Sequence, residues 1–189
     1  MRIEISCSVE WLNFLKEAAF CIAGGYIAGY IFYIFSVYVP QSKRLPAVYS
    51  LIDKQIIYAK SELMDLSNNV CDQSELKATL LLSKLADEKS EDNYVIPQTH
   101  CRYLAFAMAN IKKFLDYPVS KIELLESNDL RNLCEVIKIV TKIHSQVIDV
   151  QPNCMYFGKK EYEEFVNNIV LVDELLETIQ NNLKKIILT

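Results

Sequence analysis

The hydrophobic and polar positions divide this chain into one unbroken apolar stretch followed by a series of striped segments. From Ala18 to Val39 no residue is charged, and Ser36, Tyr26, Tyr30, Tyr33 and Tyr38 carry the polar groups. As a helix with about 1.5 Å rise per residue, the stretch would be about 33 Å long, enough for a hydrocarbon core of about 30 Å. The pattern predicts a membrane-spanning helix over 18–39. Residues 1–17 form its flank, helical from about Ser8, which would cap a first turn holding Glu10. Trp11 and Phe14 would lie at one interface and Tyr38 at the other.

Pro40 and Pro46 bracket a basic joint, 40–46, where the spanning helix is expected to stop. Residues 47–189 then read as a soluble bundle of about four to five helices. Val48, Ile52, Ile56, Ala59, Leu63, Leu66 and Val70 are spaced three or four apart and make one helical stripe. Asp72 with Glu75 reads as a capping box opening a helix to about Asp87. The charged run from Asp87 to Tyr94 reads as an exposed loop. Thr99 would cap the next helix, whose Tyr103, Leu104, Phe106, Ala107, Met108, Ile111, Phe114 and Leu115 place it centrally, with Tyr117-Pro118 ending it. A further capping box at Ser120 and Glu123 would open a helix to about Val150, with Ser127-Asn128-Asp129 as the place for a kink. Its stripe is Leu130, Leu133, Cys134, Ile137, Val140, His144, Val147 and Ile148. Gln151 to Gly158 reads as a turn. In the last helix Tyr162, Phe165, Ile169, Val172, Leu176, Ile179, Leu183 and Ile186 form a heptad seam. Beyond the first seven residues no segment alternates with period two, so the expected class is all-α.

Composition narrows the function classes. Apolar residues are 51% of the chain and charged residues 23%, which disfavours general disorder. A net charge of −4, with basic residues in scattered pairs, gives no stripe to neutralise phosphates, so no nucleic-acid partner is expected. The six cysteines include no CxxC pair, and Cys21 lies inside the span, so reduced and mostly buried thiols are expected. The N-terminal flank carries Arg2 and Lys16 against Glu4, Glu10 and Glu17. It is therefore acidic where a signal peptide would be basic, and the apolar run is long for an h-region, so an uncleaved anchor is expected.

Lys43 and Arg44 follow the span with no acid before Asp53, and excess basic charge favours the cytoplasmic side. The expected topology is N-terminus out with the C-terminal domain in the cytoplasm. Cys21, Gly25 and Gly29 recur every four residues, and such small side chains let two membrane helices approach closely. The partners implied are the lipid bilayer and either another protein or a second copy, met through this face. The C-terminal seam adds a second possible meeting point if it is intermolecular. Short loops favour its burial inside one bundle, and its e and g positions lack consistent charge.

No catalytic residues, metal ligands or cofactor are expected. His100, Cys101, Cys134 and His144 lack the close pairing that zinc requires, and no phosphate-cradling, nucleophile-elbow or zincin motif occurs. The sequence therefore points to a single-pass, membrane-anchored interaction or scaffold protein, a subunit of a membrane complex. The alternative is an effector that oligomerises to perturb the membrane while its helical domain senses a partner.

Overall fold

The computed structural model describes residues 3–90, 93–150 and 154–188, with side chains for 11–38, 45–87, 93–149 and 154–187. The fold is all-α: a long apolar N-terminal helix followed by a helical bundle. By contacts the chain forms two compact units, Met1–Val48 and Tyr49–Thr189.

Helix α1 covers Ile3–Tyr33 and passes into a π-helical segment, Ile34–Tyr38, before α2, Val39–Cys71. Two expectations change here. The helix begins at Ile3, so Ser8 lies within it and does not cap it. Residues 40–46 are helical, and the boundary between the units falls after Val48. Pro40 lacks the N–H that would continue the hydrogen-bond ladder, yet the helix runs on through it and through Pro46. The hydrogen-bond register shifts at Ile34–Tyr38, just ahead of Pro40, by the wider spacing of a π turn.

In the second unit, α2 carries the stripe that anchors the core. Ile52, Ile56, Ala59, Leu63, Leu66 and Val70 are all buried. The helix runs to Cys71 and ends on Asp72, whose φ of 54° is left-handed and whose N–H donates to the Asn68 carbonyl at 3.1 Å. That single bond is the αL ending of a helix, a conformation aspartate tolerates better than most residues. Asp72 therefore closes α2 instead of opening the next helix. Helix α3 is only Ala78–Lys84, and no side chain caps it.

The charged run expected as a loop pairs instead. Strand β1, Asp87–Ser90, and β2, Asn93–Ile96, are antiparallel, and β3, Met155–Gly158, adds to the other edge of β2. The β2–β3 register sets Tyr94 opposite Phe157 and Ile96 opposite Met155. Each strand has four residues. That is too short for alternation to stand out in the sequence, and the second pairing joins segments some sixty residues apart.

Helix α4 is Gln98–Ser120, with Pro97 at its cap and no side-chain bond there, so Thr99 is not the cap. Pro118 lies inside the last turn, two residues before the helix ends. Ser120 does not cap the next segment: its hydroxyl donates back to the Tyr117 carbonyl at 2.7 Å. A 3₁₀ turn, Ile122–Leu124, follows, and α5 starts at Ser127 and runs to Val150. Tyr49 fixes this corner by donating to the Leu124 carbonyl at 2.9 Å.

Helix α5 packs between α4 and α6, Lys159–Leu188, and α3 packs on α6. The buried face of α5 is Leu133, Val136, Ile139, Val140, Ile143 and Val147, while Cys134 and Ile148 are exposed. Both stripes have helical spacing, and packing against two neighbours selects the one through Val136 and Ile143. Helix α4 is less central than its composition suggests: Leu104, Met108 and Ile111 are buried, but Phe106 is 68% exposed and Tyr103 is exposed beside it. In α6 Tyr162, Phe165, Ile169, Val172, Leu176, Ile179 and Leu183 are all buried within the single chain. The heptad seam is thus occupied by the bundle's own core.

Candidate membrane-facing and contact surfaces

Trp11–Tyr38 is a 28-residue helical stretch long and apolar enough to cross a membrane, and none of it is buried. At about 1.5 Å per residue it is about 42 Å long, matching a hydrocarbon core with its interfacial layers. A soluble core helix of this composition would be covered on at least one side. Here Phe20, Ile22, Tyr26, Ile27, Tyr30, Ile31, Phe32 and Phe35 are all exposed, so apolar surface faces outward around the helix. Trp11 and Phe14 stack with ring centroids 5.7 Å apart at one end, and Tyr38 is exposed at the other.

The small-residue face is open. A methyl group added at Gly25 or Gly29 would meet no atom within 4 Å, and the same holds for Gly24. Cys21, one turn before Gly25, is exposed and unoxidised. No part of the described chain fills this face. Lys43 and Arg44 fall in the second turn of α2; their side chains lie outside the described set, as does that of Cys7.

His100 and Cys101 both bond to backbone carbonyls. The Nδ1 of His100 lies 2.8 Å from the Leu85 carbonyl, an acceptor, so that nitrogen carries the proton and donates. Cys101 is buried and donates to the Ile96 carbonyl at 3.6 Å. His144 is half-buried on α5, and Cys134 is exposed on the same helix. Among the described residues no three His, Cys, Asp or Glu side chains group as metal ligands.

Two polar arrangements at the helix junctions were not legible in the sequence. Asp129, in the first turn of α5, is only 1% exposed, and its Oδ1 accepts from the Asn182 side-chain amide at 2.8 Å. Its Oδ2 is buried with no hydrogen-bond partner among the described residues. Asn182 also lines an open groove of about 450 Å³ between α5 and α6, with Asn128, Arg131, Asn132 and Thr178. On the α2 side of α6, Lys60 lies 3.7 Å from Glu177. Burial pushes the neighbouring Asp173 carboxyl up; the Lys60 charge opposes this and the Glu177 and Glu174 charges add to it.

An aromatic cluster joins the sheet to the bundle. Tyr162 stacks on Tyr94 at 4.5 Å, and Phe157 lies tilted against both Tyr162 and Phe165. The Tyr162 hydroxyl donates to the carbonyls of Leu81 and Leu82, at 2.9 and 3.0 Å. Burial holds its phenol well above the usual tyrosine range. The Tyr162 hydroxyl at its centre is thus satisfied by backbone.

No family model, curated protein or solved structure matches this chain. The functional reading therefore rests on the chain's own surfaces.

Proposed function

We propose that this protein is a single-pass, membrane-anchored interaction module: α1 and the following π segment cross the bilayer, and the helical bundle binds a protein partner as a subunit of a membrane complex. The observation that carries this reading is the apolar stretch Trp11–Tyr38, exposed on every side. Water solvates such a surface at a cost of roughly 25 cal/mol per Å² of apolar area, and lipid removes that cost. Lys43 and Arg44 at the C-terminal end of the span support a cytoplasmic bundle with the N-terminus outside.

Alkaline extraction of cell membranes tests the anchor. The full chain is expected to stay in the pellet, while a variant lacking residues 1–44 is expected in the supernatant. Release of the full chain by alkali would overturn the reading.

A second reading is favoured by the open face at Cys21, Gly25 and Gly29. On it, the spans pack on one another, and the protein acts as an oligomerising effector that perturbs the membrane while the bundle senses a partner. Gly25→Leu with Gly29→Leu separates the two. Loss of self-association in a membrane two-hybrid assay, with loss of toxicity on expression, favours the effector; unchanged association and no toxicity favour the scaffold.

A further inference from the structure

The β2–β3 register brings together two cysteines that are distant in sequence. Ile96 on β2 stands directly opposite Met155 on β3, and Cys154 is the residue before Met155. Opposed residues of an antiparallel pair have Cα atoms about 4.5–5.5 Å apart, so Cys154 enters the sheet beside the end of β2. From that same end the chain turns through Pro97 into α4. The first turn of α4 closes with the Cys101 N–H donating to the Pro97 carbonyl at 3.0 Å. This turn folds the Cys101 side chain back over the strand end, where its sulfur lies 3.6 Å from the Ile96 carbonyl oxygen. The Cys154 thiol and the Met155 backbone both act electrostatically on the Cys101 thiol. The Cys101 thiol is fully buried and Cys154 is half-buried at the rim.

We propose that Cys101 and Cys154 are an oxidisable pair that forms an intramolecular disulfide when the protein meets a low-molecular-weight disulfide such as oxidised glutathione. Both thiols are free in the structure. Cys154, reachable from solvent, attacks one sulfur of the small disulfide as its thiolate. Its own proton is released, and one small-molecule thiolate leaves and takes up a proton. The Cys101 thiol then loses its proton and attacks the Cys154 sulfur of the mixed disulfide, expelling the second small thiolate. Two protein thiols are oxidised to one disulfide, and one small disulfide is reduced to two thiols. Burial raises the Cys101 thiol and keeps it from reacting directly with a disulfide in solvent, which leaves the first step to Cys154. The bond would tie the start of β3 to the first turn of α4 and close a loop containing the rest of α4 and all of α5. The other described cysteines do not share this neighbourhood through the sheet: Cys71 ends α2, Cys134 is exposed on α5 and Cys21 is in the apolar helix.

The test uses the full chain in detergent, treated with oxidised glutathione and then alkylated under denaturing, non-reducing conditions. Two fewer alkylated cysteines per chain are expected. A linked peptide containing Cys101 and Cys154, released by dithiothreitol, is expected in the digest. Cys154→Ser should abolish the linked peptide, and Cys134→Ser should leave it unchanged. Cys154 is the partner chosen for substitution because it is at the rim, whereas Cys101→Ser would place a hydroxyl in the core. A stable glutathione adduct at Cys154 without the internal bond would overturn the proposal. So would a bond to Cys71 or Cys134, or an undiminished count of free thiols.

Discussion

The Tyr162 hydroxyl donates to the Leu81 carbonyl at 2.9 Å, joining the first turns of α6 to α3 across eighty-one positions of sequence. The same oxygen reaches Leu82, and the ring is stacked on Tyr94. One side chain thus links the last helix, the shortest helix and the central strand. Tyr162→Phe keeps the stack and removes the donor. The Leu81 carbonyl still accepts from the Leu85 N–H at 2.9 Å, so the main loss falls on Leu82. The expected cost is about 1 kcal/mol, read from urea unfolding of the domain. Tyr162→Ala also empties the space beside Tyr94 and Phe157, with an expected cost of about 3–5 kcal/mol, by analogy with other large aromatic truncations.

Asn182→Ala is expected to be more damaging than a substitution at an exposed helix position. It leaves the Asp129 carboxylate buried with neither oxygen bonded to a side chain. The expected loss is about 2–3 kcal/mol, because an orphaned buried acceptor bears its full desolvation penalty. Adding Asp129→Ala should recover part of that loss. A double-mutant cycle that sums without coupling would show that the pair does not act as a unit.

Asp173 gives the pH dependence a sign. Burial raises its folded-state pKa above the unfolded value, so the native state holds the proton more tightly than the unfolded one. Stability from this group is greatest below the unfolded carboxylate range. It declines as pH rises through the unfolded and then the folded pKa. Asp173→Asn should therefore raise Tm at neutral pH, and the gain should shrink below about pH 4. Lys60 on α2 faces this carboxyl, with Glu177 and Glu174 on its own helix. A fall in Tm at neutral pH would mean that attraction to Lys60 outweighs burial.

The sequence is most legible where one stripe faces one core. The Ile52 to Val70 stripe on α2 and the Tyr162 to Leu183 seam on α6 bury as spaced. On α5 two overlapping sets have helical spacing, so Cys134 and Ile148 read as core although Val136, Ile139 and Ile143 occupy it. End signals are less specific than stripes. Asp72 followed by Glu75 fits a capping box, yet aspartate also fits the left-handed turn that closes α2. Neither proline ends the helix: the register shifts just ahead of Pro40, and α2 runs on through Pro46 in its interior. The sheet, and with it the nearness of Cys101 to Cys154, depends on a pairing between distant four-residue segments. Gly25 and Gly29 were readable as a small-residue face, and the structure adds that nothing in the described chain fills it.

The most direct measurement of the membrane reading is the accessibility of cysteines on either side of the span in intact cells. Cys7 precedes Trp11–Tyr38, and Cys134 is exposed in the bundle after it. An impermeant maleimide is expected to label the wild-type chain but not Cys7→Ser while the membrane is intact, with Cys134 reacting only after permeabilisation. Labelling of Cys134 in intact cells with Cys7 protected would reverse the proposed orientation. The same reactivity for both cysteines before and after permeabilisation would contradict a spanning helix.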